Sequence, residues 1–252
     1  AHPQGMGAGR HDTITSISDD WSEGMKMEIT VDSSSGEPTP DHSTLLLIHS
    51  DTSDGSTTFV DSSQNGRTDT VAGNTQHDTA QKKFGATAIA FDGTGDYLSW
   101  PDSDDFMFNS KDFTIDFWVR FASVSGRMSI VSKMAGSGSS NTQFDIHKEA
   151  SNVIQTHWHS KELQTSGTVS ADTWYHIAFV RSSDQIGVAI DGTGWATSTT
   201  SLTGNNLSTP LYLGFTNDSG IDFNGWIDEF RISNVARFEV GIDFTPPSAP
   251  YP

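Results

Sequence analysis

The stretch NGWIDEFRISNVARF, residues 224–238, is the part of the sequence that decides the fold. Its residues alternate as in a β-strand, with Trp226 and Phe230 on one side and Ile227 on the other. Asp228 falls in the middle of the richer apolar side, which we expect to face the core. Because an unpaired carboxylate is expensive to bury, we expect a metal ion, a cation or several N–H donors to satisfy Asp228.

Strand patterns of the same kind recur over most of the chain. Residues 113–121 alternate apolar and polar side chains along their whole length, which is typical of a half-buried strand. Turns rich in Gly, Asn and Asp separate many short segments of this kind, and helical periodicity is almost absent. The pattern predicts an all-β fold, an antiparallel sandwich of two sheets.

The composition excludes several classes of function. Lys and Arg total 14 against 32 Asp and Glu, so the net charge of −18 repels nucleic acid and anionic membranes and attracts divalent cations. No apolar run approaches the roughly 18 residues that a membrane span needs. Cysteine is absent, which excludes disulfides and thiol chemistry.

Residues 224–238 resemble the closing strand of concanavalin A-like, laminin G-type jelly rolls, whose usual ending is G-x-I-D-E-x-R-I-S-x-x-A-R. Four other segments agree with this family in order: residues 45–66, 84–100, 111–121 and 172–181. The resemblance implies a jelly-roll sandwich, and it is closest to the copies found in phage virion proteins.

Three regions follow from this resemblance. Residues 1–40 form an N-terminal arm and a linker rich in Ser, Pro and Gly, and an arm of this length is too short to build its own core. Residues 41–245 form the jelly roll, and the Pro-rich tail covers residues 246–252. We expect the arm and the tail to attach the domain to partner subunits, for example by adding a strand to a partner's sheet.

The resemblance also implies a structural Ca²⁺ site, which related jelly rolls often hold between the first loop and the closing strand. The matching residues are Asp51, Asp61 and Asp228, with Asn65 or backbone carbonyls as further ligands. Loop oxygens of this kind suit Ca²⁺. The alternative is that Asp51 and Asp61 form turns while Asp228 accepts hydrogen bonds from backbone N–H groups.

His157 and His159 flank Trp158 on a predicted strand, so both imidazoles project from the same face. This spacing suits Zn²⁺ or a sugar hydroxyl. Two ligands do not make a metal site, and the sequence places no third His or Cys nearby. The alternative is a pair of exposed histidines on a strand.

Three tryptophans are candidates for glycan binding, because sugars stack on aromatic planes that lie beside polar groups. Trp118 lies between Asp116 and Arg120, Trp158 lies between the two histidines, and Trp195 is predicted to lie on a loop. The alternative for each ring is packing against another part of the protein.

We expect no catalytic activity. Glucanases of this fold carry an E-x-D-x-x-E strand whose two glutamates are nucleophile and acid/base, and this string is absent. The patterns G-x-S-x-G, H-E-x-x-H and the phosphate-binding P-loop are also absent.

The sequence therefore predicts a non-catalytic structural or adhesion module that lies outside the cell or on a virion surface, as a capsid decoration, tail or fibre component. The chain shows no starting methionine and no signal peptide pattern, which fits a virion component. The alternative is a Ca²⁺-dependent lectin domain of a secreted or cell-surface protein, and the third hypothesis is a glycoside hydrolase.

Overall fold

The structure is a computed structural model, and it describes residues 13–20, 26–32, 42–136, 138, 141–200, 205–217 and 221–252. The chain divides into two compact units, residues 1–39 and residues 40–252. In the first unit, strand β1 (Thr13–Asp20) pairs antiparallel with β2 (Lys26–Asp32). The two strands form a two-stranded sheet.

The second unit is an antiparallel sandwich, as predicted. Its strands are β3 (Thr44–Ile48), β4 (Thr70–Ala72), β5 (Gln76–Asp78), β6 (Ala88–Asp92), β7 (Tyr97–Trp100), β8 (Phe113–Phe121), β9 (Met128–Met134), β10 (Thr142–Lys148), β11 (Val153–Trp158), β12 (Lys161–Thr168), β13 (Trp174–Ser182), β14 (Gln185–Ile190), β15 (Thr193–Thr199), β16 (Leu211–Leu213) and β17 (Asn224–Ser233). One short 3-10 helix, Asp104–Phe106, is also present. The described residues contain no helix with the length and apolarity that crossing a membrane requires.

The strands form a seven-stranded and an eight-stranded sheet. The first has the order β12-β11-β10-β9-β16-β7-β4, and the second has the order β15-β14-β13-β8-β17-β6-β5, with β3 also paired to β17. Strand β17 lies along β8 on one side, and on its other side its first half pairs with β6 and its second half with β3. The closing strand is thus central to the sheet.

The core between the sheets is rich in aromatic side chains. The ring of Phe113 lies 4.9 Å from that of Trp158 and 5.3 Å from that of Phe179, while Phe230 stacks on Trp100 at 6.0 Å. Every second residue of β8 contributes to this core, as its alternation predicts.

A β-bulge in β17 corrects the predicted faces of this strand. Asp228 pairs with Trp118 and Arg231 pairs with Asp116, so Glu229 and Phe230 together oppose a single residue of β8. Glu229 has a φ of 54°, in the left-handed region. The extra residue reverses the alternation, as bulges do.

The bulge moves two side chains out of the core. Before it, Ile227 faces the core while Trp226 and Asp228 share the outer face with their partners on β8. After it, Phe230 faces the core. The prediction that Trp226 and Asp228 belong to the core side of β17 is therefore wrong.

The C-terminal segment covers part of the outer face of the eight-stranded sheet. Phe238 stacks on Phe244 at 3.9 Å, and both belong to a second apolar cluster with Val180. The tail continues this packing, because Tyr251 is buried. Although we predicted the tail as an attachment device, its aromatic residue packs within its own unit.

Candidate functional site

The predicted calcium ligand Asp61 is satisfied by its own loop. Its carboxylate accepts hydrogen bonds from the backbone N–H of Leu47 at 3.0 Å, of Ser63 at 2.9 Å and of Arg67 at 2.8 Å. The hydroxyl of Ser63 donates a fourth, at 2.9 Å. Asn65 uses its side-chain N–H for the carbonyl of Leu45 at 2.9 Å. These contacts match the alternative of turn formation.

Asp51 and Asp228 contact one segment, residues 83–86. Asp51 Oδ1 accepts a hydrogen bond from the N–H of Ala86 at 2.6 Å. Asp228 Oδ2 accepts bonds from the N–H groups of Lys83 at 2.7 Å and Phe84 at 3.0 Å, while its Oδ1 has no hydrogen-bond partner.

Asp228 thus receives the N–H donors that its burial requires, but on the outer face of the sheet. Burial raises the pKa of Asp228 to about 7, against the lowering effect of the two backbone bonds. In the described part of the chain, Asp51, Asp61 and Asp228 do not form a group of three ligand atoms within 4.8 Å of one another. The Ca²⁺ ion stays a prediction.

Two of the predicted glycan-binding tryptophans are buried. Trp158 is 1% exposed and packs in the core against Phe113, so its ring offers no surface to a sugar. That prediction is wrong, because the face of β11 opposite the histidines is the core face. Trp118 is 5% exposed, and Lys83 Nζ lies 3.7 Å from the centre of its ring. A sugar cannot stack on it either.

Trp195 lies on β15, not on a loop as predicted. It is half-buried, and its indole N–H donates a hydrogen bond to the carbonyl of Ile242 at 3.0 Å. Phe244 packs near its ring at 5.9 Å. Trp195 therefore serves mainly to hold the C-terminal segment.

A concavity surrounds Trp226 on the outer face of the sheet. It could not be predicted from the sequence, because without the bulge the alternation places Trp226 on the core side. The concavity measures about 680 Å³, and its lining includes Asn74, Asp78, Asp92 and Asn224. Trp226 is half-buried, and its indole N–H donates a hydrogen bond to Asp78 Oδ2 at 2.7 Å, which fixes the plane of the ring. We call this feature the Trp226 concavity.

Asp96 holds the loops of the Trp226 concavity in place. Its carboxylate accepts hydrogen bonds from the N–H groups of Asn74 at 2.5 Å and Asp92 at 2.7 Å. The side-chain N–H of Asn74 in turn donates to Asp92 Oδ2 at 3.2 Å. The polar groups beside Trp226 are therefore held by bonds to one another.

The predicted histidines line a second concavity, on the outer face of the seven-stranded sheet. His157 and His159 share this cleft of about 400 Å³ with Arg127, Asp145 and Glu162, among others. His157 lies on β11, whereas His159 follows the end of this strand in a turn with a φ of 54°, so the prediction that both lie on the strand is wrong for His159. We call this feature the His157 cleft.

Two polar residues of the neighbouring strand β10 lie beside His157. Asp145 pairs with His157 across β10 and β11, and His147 lies two residues further on the same face. Asp145 Oδ2 lies 2.5 Å from His147 Nδ1 and 3.4 Å from His157 Nδ1. The two-residue spacing of Asp145 and His147 was visible in the sequence, but their pairing with β11 was not.

Comparison with known proteins identifies the family. Residues 92–242 match the model of the concanavalin A-like lectin/glucanases superfamily, of laminin G type. The chain belongs to this superfamily. No match was found among curated proteins.

Solved structures share the fold of this concanavalin A-like chain. One is the binding domain of Paraclostridial Mosquitocidal Protein 1, with a TM-score of 0.63, 16% identity, and coverage of 78% of this chain and 50% of that one. The botulinum neurotoxin serotype C1 binding domain has a TM-score of 0.57 and 15% identity, and the match covers 78% of this chain and 50% of that one. The binding domain of botulinum neurotoxin DC, in complex with SialylT, has a TM-score of 0.54 and 18% identity, and the match covers 78% of this chain and 49% of that one. The chain spans about half the length of these structures, and such identities show a common fold alone.

The carboxylates of the His157 cleft do not resemble the acid/base pair of a glucanase. Burial opposes the charge of Asp145, yet hydrogen bonds from His147 and His157 hold the pKa of this carboxyl below its ordinary value. Glu149 lies 3.2 Å from the Nε of Arg127 and 3.0 Å from the Nε2 of His147. A general acid requires a raised pKa, so Asp145 of this concanavalin A-like chain is not suited to that role.

Proposed function

We propose that the chain is a non-catalytic glycan-binding module that works outside the cell, with the Trp226 concavity as its binding site. The observation that carries this proposal is the half-buried ring of Trp226, fixed by Asp78 and surrounded by amide and carboxylate groups. A sugar ring has apolar C–H faces that stack on an indole and hydroxyls that need hydrogen-bond partners at its edge.

The size and rigidity of the Trp226 concavity support the proposal. Its volume of about 680 Å³ is in the range of ligand sites, which run from roughly 300 to 1,000 Å³. The bonds from Asp96 to the loops of Asn74 and Asp92 lower the entropy cost of binding. The SialylT complex of a structure with the same fold is consistent with this use of the jelly roll.

A glycan array with purified protein tests the proposal. We expect the unmodified chain to bind a subset of glycans and Trp226→Ala to weaken that binding at least about tenfold, because stacking on the indole is lost. Trp195→Phe is the matched control, since Trp195 is also half-buried but lies outside the concavity. Failure of the folded chain to bind any glycan, or equal binding by Trp226→Ala, would contradict the proposal.

Attachment to a virion or another surface assembly through residues 1–40 and the tail stays a prediction. It would be tested by deleting residues 1–40 and measuring assembly or docking. No contact of the described residues favours the phage virion over another exterior surface.

A further inference from the structure

A compact set of metal-ligating atoms, which the proposed glycan site does not use, lies at the His157 cleft and directly beneath it. Asp145, His147 and His157 each place one ligand atom within 4.8 Å of the others. The imidazoles of His147 and His157 are stacked, with ring centres 5.2 Å apart and planes 22° apart, and both turn their Nδ1 atoms toward the carboxylate of Asp145. The three donors therefore converge on one point between two strands.

The far side of each imidazole meets a further polar group. His147 Nε2 lies 3.0 Å from Glu149 Oε1, and His157 Nε2 lies 3.7 Å from Glu162 Oε2 and 3.3 Å from Gln155 Nε2. Histidines that bind a metal commonly donate their second N–H to a carboxylate, which fixes the ring and strengthens the ligand. At His147 the carboxylate of Glu149 lies in that position, beside Arg127 Nη2, which is 3.0 Å from the same Nε2 atom. At His157 the carboxylate of Glu162 lies beyond hydrogen-bond distance, and the amide of Gln155 is the nearer neighbour.

The donor set favours a transition metal over Ca²⁺. Two imidazole nitrogens and one carboxylate oxygen suit Zn²⁺ and its neighbours, whereas Ca²⁺ takes oxygen ligands throughout. Ligands at about 2.0–2.1 Å from a tetrahedral Zn²⁺ lie roughly 3.3–3.4 Å from one another. The contact of 3.4 Å between Asp145 Oδ2 and His157 Nδ1 already has this length, and His147 would need to retreat by less than about 1 Å.

The local charge is also compatible with a dication. With neutral histidines, the carboxylates of Asp145, Glu149 and Glu162 outnumber the single guanidinium of Arg127 by two negative charges. Arg127 lies 4.0 Å from Asp145 Oδ2 and 3.2 Å from Glu149 Oε1, and its side chain is 35% exposed, so it can turn toward solvent when a cation enters. The buried positions of His147 and Asp145 keep two of the three ligands in place.

We propose that Asp145, His147 and His157 form a binding site for a divalent transition metal ion, with Zn²⁺ as the best fit. The open cleft leaves room for a water molecule or an external ligand at a fourth position, as in zinc sites that are not closed by a fourth side chain. The site lies on the other sheet from Trp226, so it is independent of the proposed glycan function.

Isothermal titration with ZnCl₂ near neutral pH, in excess MgCl₂ to saturate the many surface carboxylates, tests the proposal. We expect equimolar binding that is weakened at least about tenfold by His157→Ala and to a smaller extent by Glu149→Gln. His157 is the ligand to replace because it is partly exposed, and circular dichroism checks that the variant folds.

Two controls make the titration decisive. His42→Ala removes an exposed histidine outside the cleft, and Trp226→Ala alters the other concavity, so both should bind Zn²⁺ like the unmodified chain. An anomalous X-ray signal between Asp145, His147 and His157 in zinc-soaked crystals would locate the ion. The proposal fails if the folded chain takes up no equimolar Zn²⁺, or if folded His157→Ala binds it equally well.

Discussion

The phenolic oxygen of Tyr251 lies 3.0 Å from Nε2 of His176, so the last aromatic residue of the chain is anchored on the outer face of the eight-stranded sheet. Its backbone N–H donates to Glu229 Oε2 at 2.7 Å, and the guanidinium of Arg231 lies 3.7 Å from the centre of its ring. Arg231 in turn forms a two-pronged ion pair with Asp116, at 3.0 and 2.8 Å. The C-terminal segment thus covers a buried polar network.

Replacing Tyr251 should destabilise the jelly roll. We expect Tyr251→Ala to lower the free energy of unfolding by about 3–5 kcal/mol, because a buried ring is lost and Arg231 loses its cover. The matched variant Tyr251→Phe, which keeps the ring and loses the hydroxyl, should cost only about 1 kcal/mol. Urea denaturation measures both values, and equal stability of Tyr251→Ala and the unmodified chain would show that the tail does not pack in solution.

The ion pair between Asp116 and Arg231 should make the fold sensitive to the loss of one partner. Burial opposes the charge of Asp116, but Arg231 and His176 outweigh it and lower the pKa of Asp116 to about 2. The pair therefore contributes stability above pH 4, which is lost as the pH falls toward 2. Asp116→Asn should cost about 3–5 kcal/mol at neutral pH because it leaves Arg231 buried without its counter-ion. Thermal unfolding at neutral and acidic pH measures this, and a variant with unchanged stability at neutral pH would contradict it.

Asp228 should give the opposite pH dependence. Its pKa is raised from 3.8 to about 7, so the folded chain holds a proton that the unfolded chain releases. The free energy of unfolding should therefore fall as the pH rises from about 4 to about 7, by at most about 4 kcal/mol. Asp228→Asn should remove this decrease. The difference between the two denaturation series isolates Asp228, and identical pH profiles would disprove the assignment.

Calcium binding at Asp228 remains testable by thermal unfolding. A bound Ca²⁺ ion would keep Asp228 ionised, so millimolar CaCl₂ should raise the melting temperature by several degrees, and Asp228→Asn should abolish the shift. His157→Ala is the control, because this substitution affects only the His157 cleft and should not change the shift in melting temperature that CaCl₂ causes. If CaCl₂ has no more effect than MgCl₂ on the unmodified chain, the predicted calcium site is wrong.

The charge around Trp226 should select among glycans. The carboxylates of Asp78 and Asp92 line the concavity, on a chain with a net charge of −18. We expect neutral glycans to bind better than sialylated or sulfated ones, because acidic sugars would meet negative charge. Asp92→Asn should reduce the difference in affinity between neutral and acidic glycans, because it removes one negative charge from the concavity. Stronger binding of acidic glycans by the unmodified chain would contradict this prediction.

Much of the fold could be predicted because strand periodicity is local. The alternation in residues 113–121, the turns between short strands and the closing stretch at residues 224–238 all predicted an antiparallel sandwich, and the structure confirms it. The opposite placement of His157 and Trp158 on their strand was also readable, since neighbouring side chains on a strand point to opposite faces. Which of those faces is the core was not.

Tertiary structure alone decided which side chains meet. The bulge requires a left-handed backbone at Glu229, and a glutamate in the sequence does not predict that conformation. Because of this one extra residue, Trp226 and Asp228 lie on the outer face of the sheet. Asp145 joins His157 only through the register of β10 and β11. Periodicity acts between neighbours in the chain, whereas register and bulges depend on pairing between distant strands. For that reason the sequence by itself determined the sandwich, and the assembled sheets determined its two candidate sites.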